Sequence, residues 1–307
     1  MSNNYNLVTV LGPTASGKTA FAAQLACRLD GEVISADSRQ VYRQMNLGTG
    51  KDYADYSVNG VQVPCHLIDI ADPGYKYSVY EYQRDFFRVF KDIQARNRFP
   101  VLCGGSGMYL DAATRKYRLI DVPRNELLRE QLASKTPDEL FSMLSSMKTL
   151  HNTTDTDTRE HAIRAIELAV YYRDNPWLTN DLPELRPLCI GIRFDRADER
   201  RRITERLEQR FQHGMVDEVR KLLAAGLHVS DMVYYGLEYR YITEYLLGKT
   251  DYKTMVSLLN TAIHQFAKRQ RTWFRKMERA GCNIHWIDGN IPMAEKLEIS
   301  LKLLGRL

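Results

Sequence analysis

The chain has 307 residues, 44% of them apolar, and a formal net charge of +5, so it can bury a sizeable core and holds two domains, or one domain with an insertion. It shows neither a signal-peptide pattern nor a run of eighteen apolar residues, which argues against a membrane protein and predicts a cytosolic one. The five cysteines (Cys27, Cys65, Cys103, Cys189, Cys282) form no C-x-x-C pair, which argues against a zinc site or a disulfide framework and predicts core thiols in a reducing compartment.

Leu7 to Leu11 (LVTVL) is a short apolar strand. It runs into Gly12-Pro13-Thr14-Ala15-Ser16-Gly17-Lys18-Thr19 and then the helical stretch Ala20 to Leu29. This is G-x-x-x-x-G-K-[ST] in the strand, loop, helix setting that the motif requires. The glycines let successive N–H groups curl around one anion, and the positive end of the following helix adds to the field. Lys18 reaches the terminal phosphate as a point charge, and the Thr19 hydroxyl can ligate Mg²⁺. The motif predicts a phosphate or diphosphate site without saying whether that phosphate belongs to a nucleotide.

Glu32 to Ala36 is a second strand, which delivers Asp37-Ser38-Arg39-Gln40 to its carboxyl end, where open α/β sheets bind ligands. Asp37 suits a general base or a partner of Mg²⁺; it also suits a plain cap of the next turn. Asn59-Gly60 marks a hairpin. His66 to Ile70 is a buried strand whose Asp69 rivals Asp37 as a metal carboxylate. Ser78 to Glu81 is a capping box opening an amphipathic helix. Pro100 to Cys103 is a strand ending in Gly104-Gly105-Ser106-Gly107, a bend that lets a ligand approach the backbone.

From residue 114 to 187 strand signals vanish and helices accumulate: Pro123 to Ala133, a second capping box at Thr136 to Glu139, and Arg159 to Arg173. The proline-bearing stretch Asp174 to Pro187 closes the segment like a linker. The organisation predicted is α/β, a phosphate-loop parallel sheet flanked by helices, in two parts (1–113 and 188–307) around an all-helical insertion suited to a lid or clamp.

Leu188 to Phe194 returns to strand. Asp195 caps a long helix, expected to run to Gly226, on which Arg202, Arg206 and Arg210 form a row beside buried Ile203, Leu207 and Phe211. Tyr234 to Arg240 is aromatic and basic together, fit for packing or for stacking. The last long helix, Asp251 to Ala280, carries Lys268-Arg269-Gln270-Arg271-Thr272-Trp273-Phe274-Arg275. Six basic residues stand there between Lys268 and Arg279 against one acid, Glu278, and this mixture of cations and aromatics suits phosphates and stacked bases. The strand Ile284 to Ile287 and a final helix complete the sheet.

Together GPTASGKT (Gly12 to Thr19), DSRQVY (Asp37 to Tyr42), GTGK (Gly48 to Lys51), GGSGMYL (Gly104 to Leu110), RAIE (Arg164 to Glu167), RLEQRF (Arg206 to Phe211), Tyr239-Arg240 and KRQRTWFR (Lys268 to Arg275) closely resemble the bacterial tRNA dimethylallyltransferases over nearly the whole chain. The resemblance implies transfer of a dimethylallyl group from dimethylallyl diphosphate to the exocyclic N6 amine of the adenosine just 3′ of a tRNA anticodon, and binding of the anticodon stem-loop. It implies that Asp37 is the general base, that Thr19 and Arg210 grip the diphosphate with Mg²⁺, and that the phosphate loop holds a leaving diphosphate in place of ATP. It places tRNA contacts at Asp37, Ser38, Arg39, Gln40, Ser106, Arg129, Glu160, His161, Ala162, Ile163, Arg164 and Lys268 to Arg275. Two departures stand out: Ser106 for threonine, and Glu238 for the glycine expected before Tyr239-Arg240. The alternative is a phosphate-loop kinase or NTPase acting on a nucleoside or RNA, with Asp69 as its metal acid. A monomer is the default expectation.

Overall fold

The computed structural model describes residues 5–115, 119–148, 156, 158–177 and 182–306. The chain divides into two compact units, one formed by Met1–Tyr117 with Pro183–Leu307 and the other by Arg118–Leu182.

The larger unit is built on a six-stranded sheet in which every pair is parallel. Its strands are β1 (Leu7–Leu11), β2 (Gly31–Ser35), β5 (Cys65–His66), β6 (Phe99–Gly104), β7 (Pro187–Arg193) and β8 (Ile284–Asp288), in the order β5-β2-β6-β1-β7-β8. Every residue of β1, β2 and β6 is buried, which is why these strands read as continuous apolar runs: helices cover both faces of a parallel sheet. On one face Val8, Val10, Val33, Val101, Ile190 and Ile192 pack against Phe21 and Leu25 of helix α1 (Lys18–Arg28) and against Leu29, which caps it. The strand order reverses around β1 and β6. From β1 the chain leaves through α1 for β2 on one side, and β7 joins β1 on the other. The carboxyl ends at such a reversal form a crevice.

Between β2 and β6 lie the short hairpin β3 (Ser57–Val58) and β4 (Val61–Gln62), turned by Asn59 and Gly60, and helix α2 (Val79–Ala95). Ser78 and Glu81 cap α2 reciprocally. Helix α3 (Gly107–Thr114) follows β6.

Two expectations are corrected here. The strand foreseen over His66 to Ile70 stops at His66, because Leu67 (φ 61°) and Asp69 (φ 54°) adopt left-handed backbone that cannot continue a ladder. The helix foreseen from Asp195 to Gly226 is broken at Gly214 (φ 92°) into α7 (Arg196–Gln212) and α8 (Met215–Ala224).

The smaller unit has α4 (Glu126–Leu132), α5 (Pro137–Met147) and α6 (Arg159–Asp174) around Leu132, Leu140, Leu144, Ile163 and Ile166. The capping box at Thr136 and Glu139 is formed. Of the linker-like stretch from Asp174 to Pro187, residues 178–181 lie outside the described residues. The larger unit resumes with β7, α7 and α8, then α9 (Val229–Met232), α10 (Leu237–Leu246), α11 (Tyr252–Arg279), β8 and α12 (Met293–Leu303). Among the described residues, no helix is long and apolar enough to cross a membrane.

Candidate active site

A cavity of about 930 Å³ opens at the carboxyl edge of the sheet, lined by Thr14 to Thr19 after β1, Asp37 to Gln40 after β2, and Cys103, Gly104 and Ser106 at the end of β6. Gly17 makes the phosphate loop possible: it caps α1 in left-handed backbone (φ 72°), which a side chain would strain. Lys18 stands on the first turn of α1 with its ammonium 3.4 Å from the Pro13 carbonyl. Burial lowers the Lys18 pKa, with Arg206 and Arg210 adding to the fall, against the opposing pull of Cys103 and Asp37. An incoming phosphate group would reverse that pressure.

Arg202, Arg206 and Arg210 all reach this cavity from α7. Arg202 donates to the Ala15 carbonyl (3.0 Å) and lies over the Phe194 ring. Arg206 pairs with Asp52 (2.9 Å). Among the described residues, the buried Nη2 of Arg210 has no hydrogen-bond partner. Burial, with Arg206 beside it, brings the Arg210 pKa down to about 10, so the guanidinium stays cationic near neutral pH. A buried unpaired guanidinium is costly unless an anion completes it. Gly50 is what admits the two guanidiniums, because a Cβ there would fall 2.1 Å from Arg210 Nη2 and 2.5 Å from Arg206 Nη2.

Asp37 is half-buried in the same cavity, and its Oδ1 accepts the Arg39 N–H (2.9 Å). Ser106 Oγ accepts the Ser38 N–H (3.0 Å), which joins the loops after β2 and β6. Gln40 donates to the carbonyls of Thr49 (3.3 Å) and Gly50 (3.0 Å), and the Arg39 guanidinium lies 5.0 Å from the centre of the Tyr234 ring.

Asp69 does not join them. Its carboxylate is held by Lys51 (2.5 Å) and by the Tyr53 hydroxyl, outside the cavity lining. Glu238 does line the cavity. Burial raises its pKa above the ordinary glutamate value, against the pull of Arg210, so the departure noted in the sequence puts an acid among the cavity's arginines.

Glu218 escaped the sequence reading. Its carboxylate accepts the N–H groups of Asn46 (2.9 Å), Leu47 (2.8 Å) and Gly48 (3.0 Å) and the Tyr239 hydroxyl (2.7 Å). It thereby shapes the loop that brings Gly48 to Gly50 to the cavity. Nothing local in α8 signals this role, since all four partners are distant in sequence.

Helix α11 meets the cavity through Ile263, Phe266, Arg269 and Gln270. Gln270 is buried; it accepts the Thr14 N–H (2.8 Å) and donates to the Gly105 carbonyl (3.0 Å), tying the phosphate loop to the glycine bend. Phe274 is wholly buried, which corrects its expected availability for stacking on a base. The Trp273 ring presses on Gly107 and its indole N–H donates to Asp111 (3.0 Å). Arg271 is paired with Glu199. Lys268, Arg269, Thr272 and Arg275 are exposed.

In the smaller unit, Arg129 makes a two-pronged contact with Glu167 (3.0 Å at each oxygen), and Arg164 bonds the same carboxylate at 2.6 Å. Ala162 and Ile163 are buried in that unit's core, whereas Glu160 and His161 are exposed.

For Mg²⁺ the cavity lining includes the Thr19 hydroxyl and the Asp37 carboxylate as oxygen donors; no cluster of three His, Cys, Asp or Glu occurs among the described residues. That set fits Mg²⁺, which binds through one or two protein oxygens together with phosphate oxygens and water.

The family model described as IPP transferase matches residues 40–277, and one described as isopentenyl transferase matches residues 5–62. The chain is 56% identical over 302 residues, covering 98% of each chain, to tRNA dimethylallyltransferase 1 of Parabacteroides distasonis. It is 58% identical over 294 residues, 96% of each chain, to tRNA dimethylallyltransferase 2 of Bacteroides fragilis. Among solved structures, the full-length tRNA isopentenylpyrophosphate transferase of Bacillus halodurans superposes with a TM-score of 0.71 at 32% identity, covering 98% of this chain and 96% of that one. On this likeness, which spans the sheet, the cavity and the inserted helices, the chain belongs to the IPP transferase family of tRNA dimethylallyltransferases.

Proposed function

We propose that this chain transfers the dimethylallyl group of dimethylallyl diphosphate to the N6 amine of the adenosine 3′ of the anticodon in tRNA, with the chemistry confined to the cavity at the sheet edge. What carries the assignment is the meeting of a phosphate loop, a buried guanidinium without a partner and a carboxylate in that one cavity. Lys18, Thr19 and Arg210 would take the diphosphate, and neutralising its charge makes it a better leaving group. Mg²⁺, held by the Thr19 hydroxyl beside Asp37, would add to that neutralisation. In the step itself the N6–C1 bond forms, the C1–O bond breaks with its electron pair leaving on diphosphate, and the N6 proton passes to Asp37. An adenine amine is a weak nucleophile, so removal of that proton is what makes attack productive. The base must also leave its stack to reach a carboxylate inside a cavity.

The kinase reading finds no support at its metal acid, because Asp69 is held by Lys51 outside the cavity lining. The deciding assay supplies purified protein, Mg²⁺ and tRNA lacking the modification with either dimethylallyl diphosphate or ATP. An isopentenyl mass increment on adenosine with the allylic donor alone is the expected result. ATP consumption with no increment would overturn the assignment.

For tRNA we assign the exposed row Lys268, Thr272 and Arg275 on α11 to the RNA backbone, with Arg269 at the cavity mouth and Glu160 and His161 as contacts of the helical unit. Lys268→Ala or Arg275→Ala should each weaken tRNA binding and lower the slope of log affinity against log salt by about 1. Arg271→Ala should leave that slope unchanged, since Arg271 is engaged by Glu199. Filter binding across a salt series checks both, and equal slopes for all three variants would remove the assignment.

A further inference from the structure

Strand β7 and the turn after α11 bring two thiols together away from the cavity. The sulfurs of Cys189 and Cys282 lie 3.3 Å apart, across 93 positions of sequence. In the sheet register Cys189 lies between Thr9 of β1 and Ile284 of β8. Side chains alternate across a strand, and since Leu188 and Ile190 face the α1 side, Cys189 projects from the opposite face. Cys282 follows Gly281 (φ 91°), which ends α11, and its own N–H bonds the Met277 carbonyl (3.0 Å). A small cavity of about 370 Å³ is lined by both cysteines, beside Thr114 and His285. Cys282 is partly exposed, whereas Cys189 is buried.

We propose that Cys189 and Cys282 are a peroxide-sensitive dithiol, in which a small hydroperoxide oxidises Cys282 and Cys189 then closes a disulfide that fastens the end of α11 to the central sheet. Its greater exposure selects Cys282 as the sulfur oxidised first. The direction of its acidity agrees: the contact with Cys189 lowers the Cys282 pKa, against the effect of burial, while that same contact and burial raise Cys189. The Cys282 thiolate attacks one peroxide oxygen; an S–O bond forms, the O–O bond breaks, and hydroxide leaves. Cys189 then attacks the sulfenic sulfur; the S–S bond forms, the S–O bond breaks, and the Cys189 proton departs with the hydroxyl as water. The hydroxide takes up the proton that Cys282 gave up on ionising, so two thiols are oxidised and one hydrogen peroxide is reduced to two waters. The other cysteines have no such neighbour: Cys103 Sγ lies 3.6 Å from the Lys18 carbonyl oxygen and Cys65 Sγ 3.9 Å from that of His66.

The test takes the reduced full-length chain through a hydrogen peroxide titration, then unfolds it, alkylates the remaining thiols and maps its peptides. The expected product loses about 2 Da before alkylation, carries a Cys189–Cys282 cross-linked peptide, leaves Cys27, Cys65 and Cys103 alkylated, and is restored by dithiothreitol. Cys189→Ser should divert the reaction to a dimedone-trapped sulfenic acid on Cys282, which deepens to sulfinic acid with more peroxide. Five alkylated cysteines in treated wild-type protein, or cross-links spread over the other thiols, would overturn the proposal. A dimedone adduct on Cys189 in Cys282→Ser protein, with none on Cys282 in Cys189→Ser protein, would overturn the order of attack.

Discussion

Asp37→Ala is expected to slow dimethylallyl transfer by about 10²–10⁴-fold, the range typical for loss of a general base, while tRNA affinity stays within about twofold because a single small side chain leaves a wide interface. Single-turnover rates at saturating tRNA, with filter binding alongside, separate the two effects. Asp37→Asn is the sharper control. Its amide oxygen can still accept the Arg39 N–H that Asp37 holds at 2.9 Å, so the loop after β2 keeps its shape while the base is gone. Wild-type turnover by either variant would remove Asp37 from the chemistry.

The second large effect concerns the helical unit. The Glu167 carboxylate is almost wholly buried and accepts from Arg129, Arg164 and the Asn125 N–H (2.6 Å). Burial alone would raise its pKa; the three donors outweigh it and hold the carboxyl at about 2. Because the folded value lies below the ordinary 4.5, the stabilisation is complete above about pH 4.5 and is lost as pH falls toward about 2, a swing worth about 3 kcal/mol. The protection factors of the α6 amides, exchange rates corrected for their intrinsic pH dependence, should therefore fall as pH drops from about 4.5 to about 2. Glu167→Gln should flatten that dependence, and Glu167→Ala should cost the unit about 3 kcal/mol, the energy of the same pairing, while Arg164 keeps its bond to the Val122 carbonyl (2.9 Å). Protection that stays constant over the window in the wild-type protein would show that the pairing carries no such energy.

Much of this architecture was legible because its causes are local. The phosphate loop, the capping boxes at Ser78 and Thr136 and the Asn59-Gly60 hairpin each depend on neighbours within a few residues, and all of them are formed. Strands buried on both faces announce themselves as unbroken apolar runs. What escaped reading depends on distant partners. The strand beyond His66 is cut short where Asp69 turns to meet Lys51. Glu218 acquires its purpose only when the Asn46 to Gly48 backbone arrives beside α8. Phe274 and Trp273 sit in a basic run that suggests an RNA surface, yet periodicity turns Phe274 into the core and Trp273 onto Gly107. The break at Gly214 had a signal, a glycine inside a helical pattern, but the apolar spacing resumes at Met215 and conceals the interruption.

Helix α11 presents its two sides to different chemistry. Gln270, on the inner side, clasps the phosphate loop at Thr14 and the bend at Gly105, whereas Lys268, Thr272 and Arg275 look outward within a turn or two. A stiff rod cannot twist at one residue and stay put at the next. Any rolling of α11 that re-aimed the outer cations would withdraw the Gln270 amide from Thr14, so the clasp acts as a keyway that fixes the rotational setting of the outer row. The pitch of the outer row is thereby indexed to the geometry of the phosphate loop.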